Sequence, residues 1–440
     1  MWGFLLMDLK KFKLNNQRTL NEVFKKIKSH TFDSSMYGKI DGELIFGSIA
    51  TYFFSREAKN YWNEFLIKVL QLKGLEDYVS IKTANDLFRP YLENHLVGNQ
   101  INAEEFSQKS EELLKYKTNK NFHYFIISRL VTNKIYKFSN IKIGLFEQKC
   151  EQTNLSFSEK IHINNLEITS FKKNNGTYIE NDIFYDQLLK EIDKFKGQTI
   201  LEIENFGDQD ISEQKSIKDA EHFINELIFL RSLCRNIGFK IELNTNIPLH
   251  NVQPLLVNYD DKLISYPSQE IIYKSHLDFD NTIQPATNIA IPFRNLTFPL
   301  FDKNYSNDLL EKLRTAIDWY ASSFKTNSTK ESFLFCAIGM EALLTNGRDT
   351  ITKALSENTA FLIATKDKKS RKYICSQMAK LYSHRSGIAH GGNISTEKID
   401  LDQLRFYLSS SIKAIILLIQ ENTINSNKDL YQYLEDLKFS

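Results

Sequence analysis

Proline and glycine are scarce in this chain of 440 residues, which contains seven prolines and 16 glycines. Pro90 stands alone, the other six prolines lie between residues 248 and 299, and none follows to the end. Because proline breaks helix interiors, the long proline-free stretch with helical periodicity predicts an all-helical region. We therefore expect an α+β fold, with a mixed α/β domain over residues 1–290 and an all-helical domain over 300–440. The first part has room for two subdomains.

Cysteine is also rare, and the four cysteines (Cys150, Cys234, Cys336, Cys375) form no Cys-x-x-Cys pair. This spacing argues against a disulfide framework or a zinc knuckle and favours a reducing compartment. The opening residues, MWGFLLMDLKK, lack the pattern of a signal peptide. A later apolar run, AIILLI at 414–419, is too short to cross a membrane. We expect a cytoplasmic protein with no membrane partner.

Several motifs that would identify an enzyme class are missing from the sequence. No glycine-rich phosphate loop follows a predicted strand, and the nine histidines are scattered without a His-Glu-x-x-His pattern. We therefore expect no bound metal and no other cofactor. The net charge is only +2, so any anion-binding site must be a local patch of positive charge.

The first 290 residues alternate between strand-like and helix-like segments. The predicted elements are a hairpin over 42–54, a helix over 57–72, strands within 123–146 and 158–171, and a strand–helix–strand unit over 199–206, 219–236 and 239–245. The last unit is compatible with a parallel βαβ arrangement.

The proline-free region divides into about five predicted helices with short connections, which is typical of a helical bundle. The helices cover residues 306–324, 329–345, 350–365, 370–390 and 395–423. Ser306, Thr329 and Ser395 lie where N-cap residues are expected, and they support the starts of three of these helices.

Two charged residues fall on apolar faces of these helices. The face of the fourth helix is formed by Ile374, Met378, Leu381 and Ile388, and Arg385 lies in the middle of it. The second helix contains SFLFCAIGMEALL, which is apolar nearly all round and has a single charge, Glu341. A buried carboxylate needs a cation or hydrogen-bond donors. We therefore predict that Glu341 pairs with Arg385.

An arginine–glutamate pair of this kind is by itself typical of a structural contact between two helices. Three neighbouring features favour a functional site at the end of the fourth helix. His390 follows the apolar face, Gly387 interrupts the helix before it, and the basic segment KDKKSRK (366–372) begins the same helix. A glycine pair after His390 ends the helix.

This combination of side chains suits the chemistry of a phosphodiester. A guanidinium can bind a phosphate through two parallel hydrogen bonds, and a histidine with an ordinary pKa near 6.5 can transfer protons at neutral pH. Arg385 and His390 would lie about 140° apart around a regular helix. A joint site is therefore best formed in a dimer, where two such pairs face one cleft.

The segment LYSHRSGIAHGG, with AIGMEALL two helices upstream, resembles the Arg-x4-His motif of HEPN domains. It is most similar to the Apea-like branch, which occurs in bacterial anti-phage and abortive-infection proteins. The resemblance covers residues 305–425 or so, about a quarter of the chain. It implies a homodimer with the two motifs facing each other, and metal-independent RNA cleavage that leaves a 2′,3′-cyclic phosphate.

The resemblance also implies roles for individual residues. Arg385 would bind and stabilise the scissile phosphate, His390 would act as general acid or base, and Glu341 would orient Arg385. The substrate-binding residues would be Ser386, His384, Lys368, Lys369, Arg371 and Lys372. Ser386 is a departure from the pattern, since many active members have Asn, Asp or His directly after the arginine.

The function implied by this resemblance is anti-phage defence through cleavage of tRNA or other host RNA. The N-terminal domain would control the nuclease, with a phage protein as the trigger. The alternative is a non-catalytic HEPN module for dimerisation or nucleotide binding, with the N-terminal domain as a protein-binding scaffold.

Overall fold

The computed structural model describes residues 16–33, 41–46, 51–127, 130–132, 135–145, 199–234, 256–259, 262–265, 277–278, 307–346, 351–364, 367–389 and 398–439. These residues fall into two compact units. The first consists of Met1–Phe122, Glu204–Lys215 and Asn258–Asp260. The second consists of His123–Ile203, Ser216–Val257 and Asp261–Ser440.

The first unit combines helices with a small antiparallel sheet. Its helices are α1 (Gln17–Ser29), α2 (Arg56–Lys73), α3 (Ile81–Leu96) and α4 (Ala103–Glu111), followed by a 3-10 helix at Glu112–Lys117. Its strands β1 (Thr31–Asp33), β2 (Gly42–Phe46) and β3 (Thr51–Ser55) lie in the order β1-β3-β2. The antiparallel pairing of β2 with β3 confirms the predicted hairpin, and α2 confirms the predicted helix over 57–72.

Local sequence signals explain where α2 begins and ends. The Ser55 side chain accepts a hydrogen bond from the backbone N–H of Ala58 at 3.2 Å, which caps the first turn. Gly74 ends the helix with φ of 59°, a left-handed conformation that glycine adopts without a steric penalty. The buried face of the helix then packs Trp62 and Phe65 near Phe24, with ring centroids 5.8 and 5.6 Å from that of Phe24. The first unit therefore has an aromatic core of its own.

Most residues of a six-stranded sheet belong to the second unit. The strands are β4 (Lys120–Ile127), β6 (Tyr136–Phe138), β7 (Ile141–Leu145), β8 (Thr199–Phe206), β9 (Leu256–Tyr259) and β10 (Lys262–Ser265), in the order β10-β9-β4-β8-β7-β6. β7 pairs antiparallel with both β6 and β8. A separate parallel pair joins β5 (Leu130–Val131) and β11 (Leu277–Asp278). These strands confirm the prediction for residues 123–146.

Helix α5 (Gln209–Cys234) follows β8 and confirms the first two elements of the strand–helix–strand unit, but it begins at Gln209 and not at residue 219 as predicted. The predicted strand over 239–245 lies outside the described residues, so the parallel βαβ arrangement stays a prediction. The predicted strands over 158–171 also lie outside the described residues.

The C-terminal region is helical, as predicted. Its helices are α6 (Asp308–Ser322), α7 (Thr329–Leu344), α8 (Ile351–Ile363), α9 (Lys368–Ala389), α10 (Lys398–Gln420) and α11 (Asn427–Phe439). The first five correspond to the predicted helices, and α11 is an addition that places Leu430 and Leu434 in the core. The α+β class is confirmed, while the HEPN identity and the boundary between residues 290 and 300 stay predictions.

The N-caps of this region differ in detail from the predicted ones. Asn307 caps α6, since its Oδ1 accepts a hydrogen bond from the N–H of Leu310 at 2.8 Å. Ser328 caps α7, so the prediction of Thr329 is wrong by one residue. Two adjacent cap-forming residues cannot be ranked without the backbone geometry. Ser306 and Ser395 lie outside the described residues.

Close packing fixes the distances between three of these helices. Gly339 in α7 has no side chain at the point where α6 and α10 pass. A Cβ atom there would lie 2.9 Å from Cδ2 of Leu408 and 3.1 Å from Cβ of Trp319. The same contact region buries Leu313, Met340 and Leu408 completely. Within the described ranges, no helix is long and apolar enough to cross a membrane.

Candidate active site

Arg385 in α9 and Glu341 in α7 form an ion pair. The Nε atom of Arg385 lies 3.0 Å from Oε1 of Glu341, and the side chains are 31% and 21% exposed. This contact confirms the predicted pairing of the two residues. The Nε–H bond does not point at the oxygen, so the contact is an ion pair without a regular hydrogen bond. The terminal amino groups of Arg385 make no hydrogen bond to any other residue that the structure describes.

Tyr382 completes this cluster. Its hydroxyl donates a hydrogen bond to Oε1 of Glu341 at 2.9 Å, and its ring centroid lies 5.9 Å from the guanidinium carbon of Arg385. Burial raises the pKa of Tyr382 to about 12, and the hydrogen bond and charge of Glu341 act in the same direction. The phenol is therefore a protonated donor at neutral pH. The sequence analysis did not predict a role for Tyr382, although this residue lies three positions before Arg385 and therefore on the same face of the helix.

The local packing explains why Arg385 points toward α7. Met378 and Leu381 are buried on the same face of α9, and Ile388 packs against the core beyond Arg385. The helix runs without a break through Gly387 to Ala389, so the prediction that Gly387 interrupts it is wrong. The cost of one glycine, about 1 kcal/mol relative to alanine, is small against the packing of a long helix.

His390 lies outside the described residues, and so do the two glycines that follow it. Its position relative to Arg385 stays a prediction. In a regular helix, side chains five residues apart, such as those at positions 385 and 390, would point about 140° away from each other. This expected angle is the reason to propose a site shared between two chains.

Two predicted substrate-binding residues flank Arg385 in sequence. The Nδ1 atom of His384 lies 3.6 Å from Oδ2 of Asp400 in α10, and its ring centroid lies 6.5 Å from that of Phe333 in α7. His384 is thus engaged with neighbouring helices on another side of α9. Ser386 is exposed at the surface.

The basic residues predicted to bind substrate lie at the other end of α9. Lys368, Lys369 and Lys372 are exposed, whereas the guanidinium carbon of Arg371 lies over the ring of Phe361 at 5.0 Å. A continuous helix separates them from Arg385 by about 20 to 25 Å along its axis. Lys369 and Lys372 also project from the helix about 140 to 160° away from Arg385. One chain therefore does not bring these lysines to the ion pair.

A second polar cluster lies between α5 and α6 and was not predicted. The Nδ1 atom of His222 lies 2.9 Å from the carboxylate of Asp318, and Asn225 donates a hydrogen bond to Oδ1 of Asp318 at 2.7 Å. Glu226, on the next turn after His222, is only 4% exposed. Burial raises the pKa of Glu226 well above its usual value, against the opposing effect of Arg314. Burial therefore favours the protonated form of Glu226 in the folded protein.

Cys336 and the possible metal ligands among the described residues can be assessed from their surroundings. Cys336 is fully buried, and burial raises the pKa of its thiol to about 11, so it is not a reactive thiolate at neutral pH. Among the described residues, no three His, Cys, Asp or Glu side chains are grouped so that they could hold a metal ion.

Comparisons with known proteins add little to this geometry. No family model matches the chain, and no solved structure matches it. A segment of 115 residues is 27% identical to a probable cytochrome P450 555A1 of Dictyostelium discoideum, and it covers 26% of this chain. The match spans only 22% of that protein's length. An identity of this size over so short a segment establishes neither a common family nor a common activity.

Proposed function

We propose that this chain is a metal-independent endoribonuclease of the HEPN type that acts in anti-phage defence, with Arg385 at the scissile phosphate. The observation that carries the proposal is the cluster of Arg385, Glu341 and Tyr382. In this cluster a half-buried guanidinium is held through Nε, while its terminal amino groups make no hydrogen bond to another described residue. A guanidinium held in this way can offer parallel N–H donors to a phosphate.

The proposed reaction uses only groups of the RNA and of the protein. The 2′-hydroxyl oxygen attacks the adjacent phosphorus while its proton passes to a base. The bond between phosphorus and the 5′-oxygen breaks, the departing oxygen receives a proton, and the products are a 2′,3′-cyclic phosphate and a 5′-hydroxyl. His390 serves as the base or as the acid. Arg385 stabilises the negative charge that develops on the phosphate oxygens.

Two further parts of the proposal concern assembly and control. Two chains associate through the HEPN domain, because the spacing of five residues between Arg385 and His390 in the sequence favours a cleft shared by two motifs. The N-terminal region keeps the nuclease inactive until a phage protein binds to it. The resemblance of the motif LYSHRSGIAHGG to the Apea-like branch supports the proposed assembly and the proposed control.

The ion pair also favours a second candidate function. Partly buried partners with an additional hydrogen bond from Tyr382 are what a structural link between α7 and α9 requires. In that case the C-terminal helical region is a non-catalytic module for dimerisation or nucleotide binding. The N-terminal region is then a scaffold for a protein partner.

The two candidates are separated by testing Arg385 directly. Wild type, Arg385→Ala and Lys380→Ala would be incubated with RNA in EDTA, and the same variants would be expressed in cells challenged with phage. Lys380 is the matched control, because it is an exposed cation on the same helix. In phage-challenged cells, where the trigger is present, we expect the wild type and Lys380→Ala to cut RNA and leave a cyclic phosphate, and Arg385→Ala to leave RNA intact.

A substrate with a single 2′-deoxynucleotide at the mapped cleavage position checks the reaction type. We expect no cleavage at that position, because the attacking hydroxyl is missing. If folded Arg385→Ala cuts RNA as the wild type does, or if the wild type cuts none in either setting, the nuclease proposal is wrong and the structural candidate stands.

A further inference from the structure

Tyr382 has a position in the Arg385 cluster that the family motif does not assign. Its ring is largely buried, with 8% of the residue exposed, and its hydroxyl reaches Oε1 of Glu341 at 2.9 Å. The same oxygen lies 3.0 Å from Nε of Arg385. Oε1 of Glu341 therefore accepts the hydrogen bond of the phenol and also lies in the ion pair with Arg385.

This sharing constrains the carboxylate of Glu341 more than either contact alone would. A hydrogen bond from a neutral donor to a carboxylate is short and strong, so it restricts rotation of the carboxylate group. It also draws negative charge on Oε1 toward the phenol, which weakens the pull of that oxygen on Arg385. Without the hydroxyl, Glu341 could rotate and engage the terminal amino groups of Arg385 in a closer, two-point ion pair.

Ring packing alone does not require the hydroxyl. Leu381 is buried beside Tyr382 in sequence, and a phenylalanine at position 382 would fill the same space. The functional part of Tyr382 is therefore its O–H group, which burial and the neighbouring carboxylate keep protonated by raising its pKa to about 12.

We propose that Tyr382 is a positioning residue, whose hydroxyl fixes Glu341 so that Arg385 is held through Nε and presents its terminal amino groups to a phosphate anion. The identity of that anion as RNA rests on the proposed function. The holding of Arg385 by Tyr382 and Glu341 does not rest on it.

The first test measures the state of Arg385 in the absence of RNA. The full-length chain is labelled with ¹⁵N-arginine, and the side-chain Nε–Hε signal of Arg385 is assigned from its loss in Arg385→Lys. Tyr382→Phe removes only the hydroxyl, and Tyr373→Phe is the matched control, because Tyr373 is 59% exposed on the same helix. We expect the Arg385 signal to shift in Tyr382→Phe and to stay unchanged in Tyr373→Phe. An unchanged signal in Tyr382→Phe overturns the proposal.

The second test measures binding of a fluorescent 2′-deoxy oligonucleotide, which the enzyme cannot cleave. We expect Tyr382→Phe to bind about tenfold more weakly than the wild type, the size of effect that one charge-assisted hydrogen bond can have. In a Glu341→Gln background, adding Tyr382→Phe is expected to cause little further loss, because the hydroxyl acts through Glu341. Equal, independent losses in the two backgrounds would show that Tyr382 acts in another way.

The two tests also separate this inference from the proposed function. If the wild type binds no oligonucleotide and cuts no RNA, the nuclease proposal fails, and the NMR result alone decides whether Tyr382 holds Arg385. Thermal unfolding of Tyr382→Phe near the wild-type temperature confirms that the variant is folded.

Discussion

Nε of Arg385 lies 3.0 Å from Oε1 of Glu341, and this contact joins the apolar faces of α9 and α7. Each residue is the other's main charge partner among the described residues. Removing either charge therefore leaves the other one partly buried and without compensation.

The first prediction concerns the charge of Glu341. Glu341→Gln keeps the size of the side chain and an oxygen for Tyr382, but it removes the negative charge that holds Arg385. Because both partners are partly exposed, we expect the free energy of unfolding to fall by only about 1 kcal/mol or less. RNA cleavage is expected to fall at least about tenfold, since Arg385 would lose its orientation. Urea unfolding and cleavage rates check the two effects.

Glu421→Gln is the control for this prediction, because Glu421 is exposed and follows the end of α10. We expect it to change neither quantity. A Glu341→Gln variant that cleaves RNA at the wild-type rate would remove the orienting role of Glu341.

The second prediction concerns packing at Gly339. Gly339→Ala adds a Cβ that would lie 2.9 Å from Cδ2 of Leu408 and 3.1 Å from Cβ of Trp319, so the Leu408 side chain or the helices must shift. We expect the free energy of unfolding to fall by about 1–3 kcal/mol. This loss outweighs the helix propensity of alanine, which by itself would stabilise by about 1 kcal/mol. Chemical denaturation checks it, with Ser383→Ala, an exposed change in α9, as the control. A higher midpoint for Gly339→Ala would contradict the packing argument.

The third prediction concerns Glu226. Burial raises its pKa in the folded chain, so the folded protein keeps a proton that the unfolded chain releases above pH 4.5, the ordinary value for this group. The stability that the neutral form contributes is therefore fully present below pH 4.5 and is lost as the pH rises toward the folded pKa. Glu226→Gln has no such proton. We expect its stability relative to the wild type to increase with pH, by up to about 1.4 kcal/mol per pH unit.

Urea unfolding of both proteins from pH 5 to pH 8 measures this difference. A stability difference that is constant over the range would mean that Glu226 ionises in the folded protein as readily as in the unfolded chain.

The fourth prediction concerns His123 in β4. The residue is fully buried, with Nδ1 2.9 Å from Oγ of Ser216, and burial lowers its pKa from 6.5 to about 3. The folded chain therefore keeps this imidazole neutral, while the unfolded chain binds a proton below pH 6.5. Its contribution to stability is complete above pH 6.5 and is lost as the pH falls through this range toward 3.

NMR of the imidazole carbons provides the measurement. We expect the His123 signal, assigned from its loss in His123→Asn, to stay at the neutral position down to pH 4. A signal that titrates near pH 6.5 would show that the ring is accessible to solvent.

Several elements could be predicted from the sequence because their signals are local. The helices from α6 to α10 follow from apolar periodicity in a region without proline, and the hairpin of β2 and β3 follows from β-branched and aromatic residues around a turn. The ion pair was predictable for a related reason. Arg385 and Glu341 are each a single charge on an otherwise apolar face, so each needs a partner of opposite charge.

Other features depend on tertiary geometry that the sequence does not reveal. A tyrosine at 382 is compatible with plain core packing, and its hydrogen bond to Glu341 depends on how α7 and α9 are rotated against each other. Lys368 and Lys369 are near Arg385 in sequence, but the unbroken helix separates them in space. Helix α11 was not among the predicted helices, although Leu430 and Leu434, its two buried leucines, are spaced four residues apart as on one helix face.

The absence of a side chain on glycine at position 339 has a consequence for how related sequences can differ. Leu408 and Trp319 occupy the space that a residue larger than glycine would need. In related chains, a change from glycine at this position is therefore expected to be inherited together with a smaller residue at position 408. Positions 339 and 408 should diverge as a linked pair, although they lie on two different helices and far apart in the chain.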